Sequence, residues 1–188
     1  MAYATFWQRF AAIWIDIFVL SPLIIFQQWI DSLSRSVAIV LVIPMTAVFC
    51  AYTIYCHARF GQTVGKHVMG IRVVRTTGER IGWREAWLRS SVDVAFGVLG
   101  AIALFVALAA VTDGNYYGVG WKLRAQNVAA LEPSWSNYTA LAGQIWFWSE
   151  VIVMLFNKRR RALHDFIAGT IVTAERKIAI RQTQAASP

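Results

Sequence analysis

The chain has 188 residues, 57% of them hydrophobic and 14% aromatic, with a formal charge of +8, a mean hydropathy of +0.49 and a pI near 10.0. A water-soluble domain of this length would leave too much apolar surface in water. Nucleic-acid binding is not expected, because the basic residues collect where membrane topology wants them.

Four apolar runs, at residues 10–30, 37–56, 92–111 and 138–156, each approach the roughly 20 residues that a helix needs to cross a bilayer core. Fifteen of the 18 basic residues fall in three segments: Arg9 before the first run, seven between the second and third, and seven after the fourth. The other two connections hold only Arg35, and Lys122 with Arg124. By the positive-inside rule both termini and the central segment are cytoplasmic, and anionic lipid headgroups are expected partners of that face. Asp16 interrupts the first apolar run and no basic cluster precedes it, so this run is expected to stay as a helix and not to be cleaved as a signal peptide.

In chain order, the first helix carries Pro22, and the short turn at 31–36 makes the first two helices antiparallel neighbours. The second contains Pro44 and ends in Tyr52 and Tyr55, amphipathic rings suited to the interface. Cys50 and Cys56 are about 9 Å apart in helical rise, too far for a disulfide. Cys56-His57 has no partner at metal-ligand spacing and reads as packing at a helix end. Gly61-Gln62-Thr63-Val64-Gly65-Lys66 reads as a glycine-dependent turn or short interfacial helix, with Lys66 at headgroup depth. It is not a nucleotide-binding loop: three residues, where four are required, separate its glycines, and His67 replaces the magnesium-binding hydroxyl. Ile71-Arg72-Val73-Val74 is strand-like, Thr76-Thr77-Gly78-Glu79 has turn chemistry, and Arg80-Ile81 begins a return strand. The third helix restarts near Trp83 and carries a small-residue stripe of Asp93, Gly97 and Gly100. An external loop spans 113–137. The fourth span is the shortest. Beyond it, Leu163, Phe166, Ile167 and Thr170 share one helical face, read as an interfacial helix, and Ile171-Val172-Thr173 can add a strand to the hairpin. The expected fold is an all-α membrane protein with four transmembrane helices, a small cytoplasmic hairpin and an interfacial C-terminal helix. It forms a single domain over 1–181, followed by a disordered tail at 182–188.

Three acids interrupt the apolar helices: Asp16, Asp93 and Glu150. Counted from Arg9, Arg89 and Asn157, all lie about 6–10 Å past the cytoplasmic helix ends, in one layer. Arg9, Asp16 and Gln27 share a stripe of the first helix, and Arg89 with Asp93 forms an i, i+4 pair. Such a layer serves either as a cation or proton site, with Arg9 and Arg89 holding the carboxylates, or as a salt-bridge network that orders the bundle. His164-Asp165, beside Arg159-Arg160-Arg161, reads either as a proton relay or as a helix cap in which Asp165 satisfies free amides or an arginine.

Arg9-Phe10-Ala11-Ala12 through Asp16, the Gly61 to Lys66 segment followed by Gly70-Ile71-Arg72-Val73-Val74, Gly78, and Ala162-Leu163-His164-Asp165-Phe166-Ile167-Ala168-Gly169-Thr170 together resemble the RDD family of small membrane proteins. The arginine and two aspartates of that family's name match Arg9, Asp16 and Asp165. The resemblance implies a multi-pass protein of the prokaryotic plasma membrane. It also implies transport, with cation/proton antiport attributed to some members. The fourth helix, Glu150 and the external loop lie outside the motifs that carry it.

Two functions follow. In the first, Asp16, Asp93, Glu150 and Asp165 act as transport or ion-binding groups supported by Arg9, Arg89, His164 and Lys66, and the carrier is a homo-oligomer because four helices are few for alternating access. In the second, the charged layer is structural and the protein assembles with partners. No catalytic triad order, paired catalytic acids or metal-ligand spacing points to an enzyme, and no cofactor or metal is expected. Cysteine labelling tests the topology, with Cys50 and Cys56 first replaced by alanine: cysteines at Thr77 and Ser187 should react from the cytoplasm and those at Ser34 and Asn127 from outside, whereas outside labelling at Thr77 would sink it.

Overall fold

Long apolar stretches dominate the architecture. The computed structural model describes residues 2–174, and the expected tail at 182–188 lies outside them. Four helices are long and apolar enough to cross a membrane: α1 Phe6–Leu33, α2 Arg35–Phe60, α4 Trp83–Ala110 and α7 Trp135–Phe156, with α3 Val64–Val68 between α2 and α4. Their most apolar windows have mean hydropathies of 2.0, 2.4, 2.4 and 1.4, so α7 is the least apolar, in keeping with its sequence. Large apolar side chains such as Phe18, Val40 and Phe156 project outward from them, as lipid-facing positions require. Helices suit that setting because each backbone polar group finds its partner within the segment. α1 and α2 continue through Pro22 and Pro44.

Two connections differ from the sequence expectation. α1 runs on to Leu33, leaving Ser34 as the single residue before α2. The segment expected to be an external loop contains α5 Asp113–Tyr116 and α6 Trp121–Ala129.

The described chain falls into two compact units. One contains Ser21–Cys50 and Asp93–Ile145. Its core packs Ala38 and Val42 against Ala107, Leu108, Val111, Tyr116 and Val128. Arg35 closes this unit through the Val111 carbonyl at 2.8 Å and Asp113 at 3.3 Å, and Tyr116 donates to the Asp31 carbonyl at 2.6 Å.

The other unit contains the chain up to Leu20, Ala51–Val92 and the chain from Trp146 onward. Its small sheet pairs β1 Ile71–Arg75 antiparallel with β2 Thr170–Ala174, placing Val73 opposite Val172. The hairpin expectation is therefore corrected: Arg80 contributes only a single bridge to Val74, and the full partner of β1 comes from the far end of the chain. β2 is also flanked by the N-terminus, through a Tyr3 bridge to Thr173 and a bond of 2.9 Å from the Ala4 amide to the Val172 carbonyl. The buried core beneath consists of Ala4, Ala12, Ile71, Val73, Ile81 and Val172. Pairing with β2 covers β1 along its full length and buries Val172 completely, which a local return through Arg80 and Glu79 could not do.

The C-terminal helix is corrected too. α8 is a single turn, Leu163–Ile167, and Gly169 at φ +65° ends the segment before Thr170 enters β2. Only glycine adopts that backbone without strain. Leu163, Phe166 and Ile167 lie in that turn as their spacing suggested, whereas Thr170 opens β2 and is not helical.

Candidate functional site

All the groups of this site belong to the unit that carries the sheet. Gly61, at φ +71°, ends α2 by donating to the His57 carbonyl at 2.9 Å, an αL terminus that favours glycine. Thr63 then caps α3, accepting from the Lys66 amide at 3.4 Å. α3 lies against α1 so closely that a Cβ on Gly65 would overlap the Ala12 carbonyl oxygen. That closeness brings the Gly65 amide onto Asp16.

Asp16 is half-buried and accepts three hydrogen bonds: from Tyr52 Oη at 2.8 Å, Thr63 Oγ1 at 2.6 Å and the Gly65 amide at 2.7 Å. Its partners are neutral donors, where the sequence reading placed an arginine. A carboxylate so satisfied has little left to offer a cation.

Asp165 is fully buried. It takes Arg9 at 2.8 Å and also Arg89, accepts from Thr170 Oγ1 at 3.1 Å, and accepts from the Ala162 amide at 3.0 Å, satisfying a backbone donor at the start of α8. Burial pushes its pKa upward, but Arg89, His164 and Arg9 together outweigh that and hold the carboxyl well below the usual range. Arg9 also donates to the Arg160 carbonyl at 2.7 Å. Arg161 braces the same turn through the Asp165 carbonyl at 2.9 Å and stacks 4.0 Å over the Phe166 ring. The carboxylate that takes Arg89 thus comes from α8, where the i, i+4 spacing suggested Asp93.

Above these acids is a cavity of about 280 Å³ whose polar side is lined by Arg9, Lys66, Arg89, Glu150 and His164. Its other walls are apolar side chains of α1 and α7, among them Phe10, Ile13, Phe147 and Val151. Glu150 Oε1 pairs with His164 Nδ1 and accepts the His164 amide at 3.1 Å. Burial, then the charge of Arg89, lowers the His164 pKa. Lys66 Nζ lies 2.7 Å from His57 Nε2. Burial first and Arg89 second pull the Lys66 pKa down to about 7, and Asp16 is the strongest opposing influence.

The cavity therefore gathers Arg9, Arg89, Lys66, Glu150 and His164 of the expected residues, while Asp165 is paired with two of them and Asp16 is held by Tyr52, Thr63 and Gly65. Asp93 is exposed and belongs to the other unit. His57 was missed, because a lone histidine beside a cysteine carries no metal spacing. Its signal was position, at the end of an apolar helix and just ahead of a glycine turn that returns a lysine. Among the described residues no cluster of three or more His, Cys, Asp or Glu side chains is arranged to hold a metal ion.

The family model described as the RDD family matches residues 3–169, nearly the whole chain. The chain belongs to the RDD family. It is accordingly a multi-pass membrane protein. The match spans Glu150, the loop at 113–137 and α7 as well, which the sequence motifs alone had left outside. No curated protein and no solved structure matches this RDD protein.

The two family aspartates should respond differently to amide replacement. Asp165→Asn leaves Arg9 and Arg89 buried without their counter-charge and should cost about 3–5 kcal/mol. Asp16→Asn should cost less than about 1 kcal/mol, since the amide oxygen keeps Tyr52 and Gly65 and the amide nitrogen can donate to Thr63 Oγ1. Melting of the purified variants in detergent checks this, and equal losses would refute the assignment. Lys66 yields a pH dependence. Between about pH 7 and 9 the unfolded chain holds the proton that folded Lys66 has released, so stability contributed by this group rises with pH. The melting temperature should climb across that window and Lys66→Met should flatten the climb; parallel curves for the two proteins would count against it.

Proposed function

We propose that this RDD protein is a proton-coupled carrier of the prokaryotic plasma membrane, working as a homo-oligomer with both termini and the basic central segment in the cytoplasm. Proton exchange takes place at the cavity, through Lys66 with His57 and through Glu150 with His164. The observation that carries this reading is the meeting of Lys66, Glu150 and His164 in one cavity, with His57 hydrogen-bonded to Lys66 and Lys66 brought to about pKa 7. A group that titrates near neutral pH changes its charge for a small change in its surroundings, which is what coupling to a second solute requires. Arg89 and Arg9 face Lys66 from α4 and α1 and favour its neutral form. Asp16 and Asp165 favour the charged one.

This reading shifts the exchange away from the layer of acids. Asp16 and Asp165 are saturated by fixed donors and act as anchors, while a cavity lined by three basic side chains disfavours a bare metal cation. The saturation of both family aspartates also favours a second reading, a non-transporting assembly protein whose charged layer is structural.

Proteoliposomes loaded with a pH-sensitive dye separate the two. Under an imposed pH gradient, with sodium or potassium and with chloride or phosphate varied in turn, proton movement should exceed that of empty liposomes. Lys66→Met and Glu150→Gln should each reduce it at least tenfold, about 1.4 kcal/mol in the barrier. Asp16→Asn should retain most of it. No movement under any of these gradients would leave the assembly reading in place.

A further inference from the structure

We propose that the cavity is a binding site for one anionic phospholipid, its phosphate held by Arg9, Lys66 and Arg89 and one acyl chain laid along the apolar wall between α1 and α7. The proposal concerns the same cavity as the proton-coupled reading and does not depend on it.

The charge of the lining comes first. Three basic side chains border the cavity against one carboxylate, Glu150, and that carboxylate is already taken by His164. Behind the arginines, Asp165 is a single acid shared between two guanidinium groups. Lys66 has an imidazole as its hydrogen-bond partner, which leaves an ammonium two further donors.

The second observation is unmet hydrogen-bonding capacity. Arg9 is buried, its Nε has no hydrogen-bond partner among the described residues, and it borders the cavity. A buried donor left without an acceptor is costly, and native structures rarely keep one without a use. Phosphate oxygens are acceptors of the right charge, and guanidinium groups bind them in preference to most other ligands.

The apolar wall then decides between a soluble anion and a lipid. Phe10, Ile13, Phe147 and Trp148 border the cavity and are also 41–59% exposed on helices apolar enough to span a bilayer. An inorganic anion would leave that wall unused. At about 280 Å³ the space is close to the lower bound of about 300 Å³ for small-molecule pockets, so it takes a headgroup and not a whole lipid. The chain lies outside it, along α1 and α7. A zwitterionic headgroup would bring a second cation into a lining that is already basic.

Native mass spectrometry of the full chain in mild detergent tests this, with phosphatidylglycerol, phosphatidylcholine or inorganic phosphate added. One phosphatidylglycerol per chain should be retained with at least about tenfold preference over phosphatidylcholine and should not be displaced by millimolar phosphate. Lys66→Gln, and separately Val151→Trp, which fills the apolar wall, should each weaken retention by about tenfold. Equal retention of the two lipids, displacement by phosphate, or wild-type retention in both variants would overturn the proposal. If Lys66→Gln fails to accumulate, the headgroup comparison and Val151→Trp decide it. Retention without proton movement in proteoliposomes would uphold the lipid site and remove the carrier reading. Proton movement without retention would do the reverse.

Discussion

The unit that carries the sheet depends on one buried anion. Asp165 accepts Arg9 from α1 and Arg89 from α4, closes the first turn of α8 and, through Thr170, ties itself to the start of β2. Two guanidinium groups could not be left at these depths without it, since an uncompensated buried charge costs several kcal/mol. The partners are 156 and 76 residues away in sequence. The ends of α1 and α4 that carry Arg9 and Arg89 are therefore held by the segment that follows the last apolar helix. β2 follows from the same placement: once Thr170 is held at the carboxylate, the next residues run beside β1.

The acids that the sequence grouped as one layer carry three kinds of chemistry. Asp16 is an acceptor for neutral donors and locks α3 against α1, which is why Gly65 has no room for a side chain. Asp165 is an ionic staple. Glu150 is the partner of a histidine. Fixed anions of the first two kinds make a stable floor because they are saturated. Lys66, whose pKa is pulled down to about 7, and the Glu150–His164 pair border the cavity.

Much of this was legible from local pattern. The four spans follow from run length and hydropathy, and the start of α4 near Trp83 and the weakness of α7 follow from composition. The short α3 was readable from two glycines and Thr63. What local pattern could not supply was partner choice across long separations. Arg80 and Ile81 sit where a hairpin would place a return strand, yet β2 wins because it buries Val172 against Val73 on a continuous face. Arg89 has an acid four residues ahead on its own helix, yet a desolvated carboxylate from α8 takes it, since a surface i, i+4 pair is worth only about 0.2–0.5 kcal/mol. The meeting of Arg9 with Asp165 was implied by family motif alone, as no periodicity links the two ends of the chain. His57 escaped because its partner, Lys66, is returned to it by a turn whose course depends on Gly61.

Anion binding as proposed for this cavity would be thermodynamically linked to protonation. Lys66 is held near neutrality chiefly by burial and by the like charge of Arg89. A phosphate placed between them offsets that repulsion, so the proton on Lys66 is held more tightly when the anion is present. Linkage makes the effect reciprocal: whatever factor the anion adds to proton affinity, the proton adds to anion affinity. Asp165 holds both arginines through its own ion pairs, so the coupling requires no displacement of α1 or α4. At the proposed lipid site, a bound anionic headgroup and a proton on Lys66 would each raise the affinity for the other, with the arginines setting the strength of that coupling.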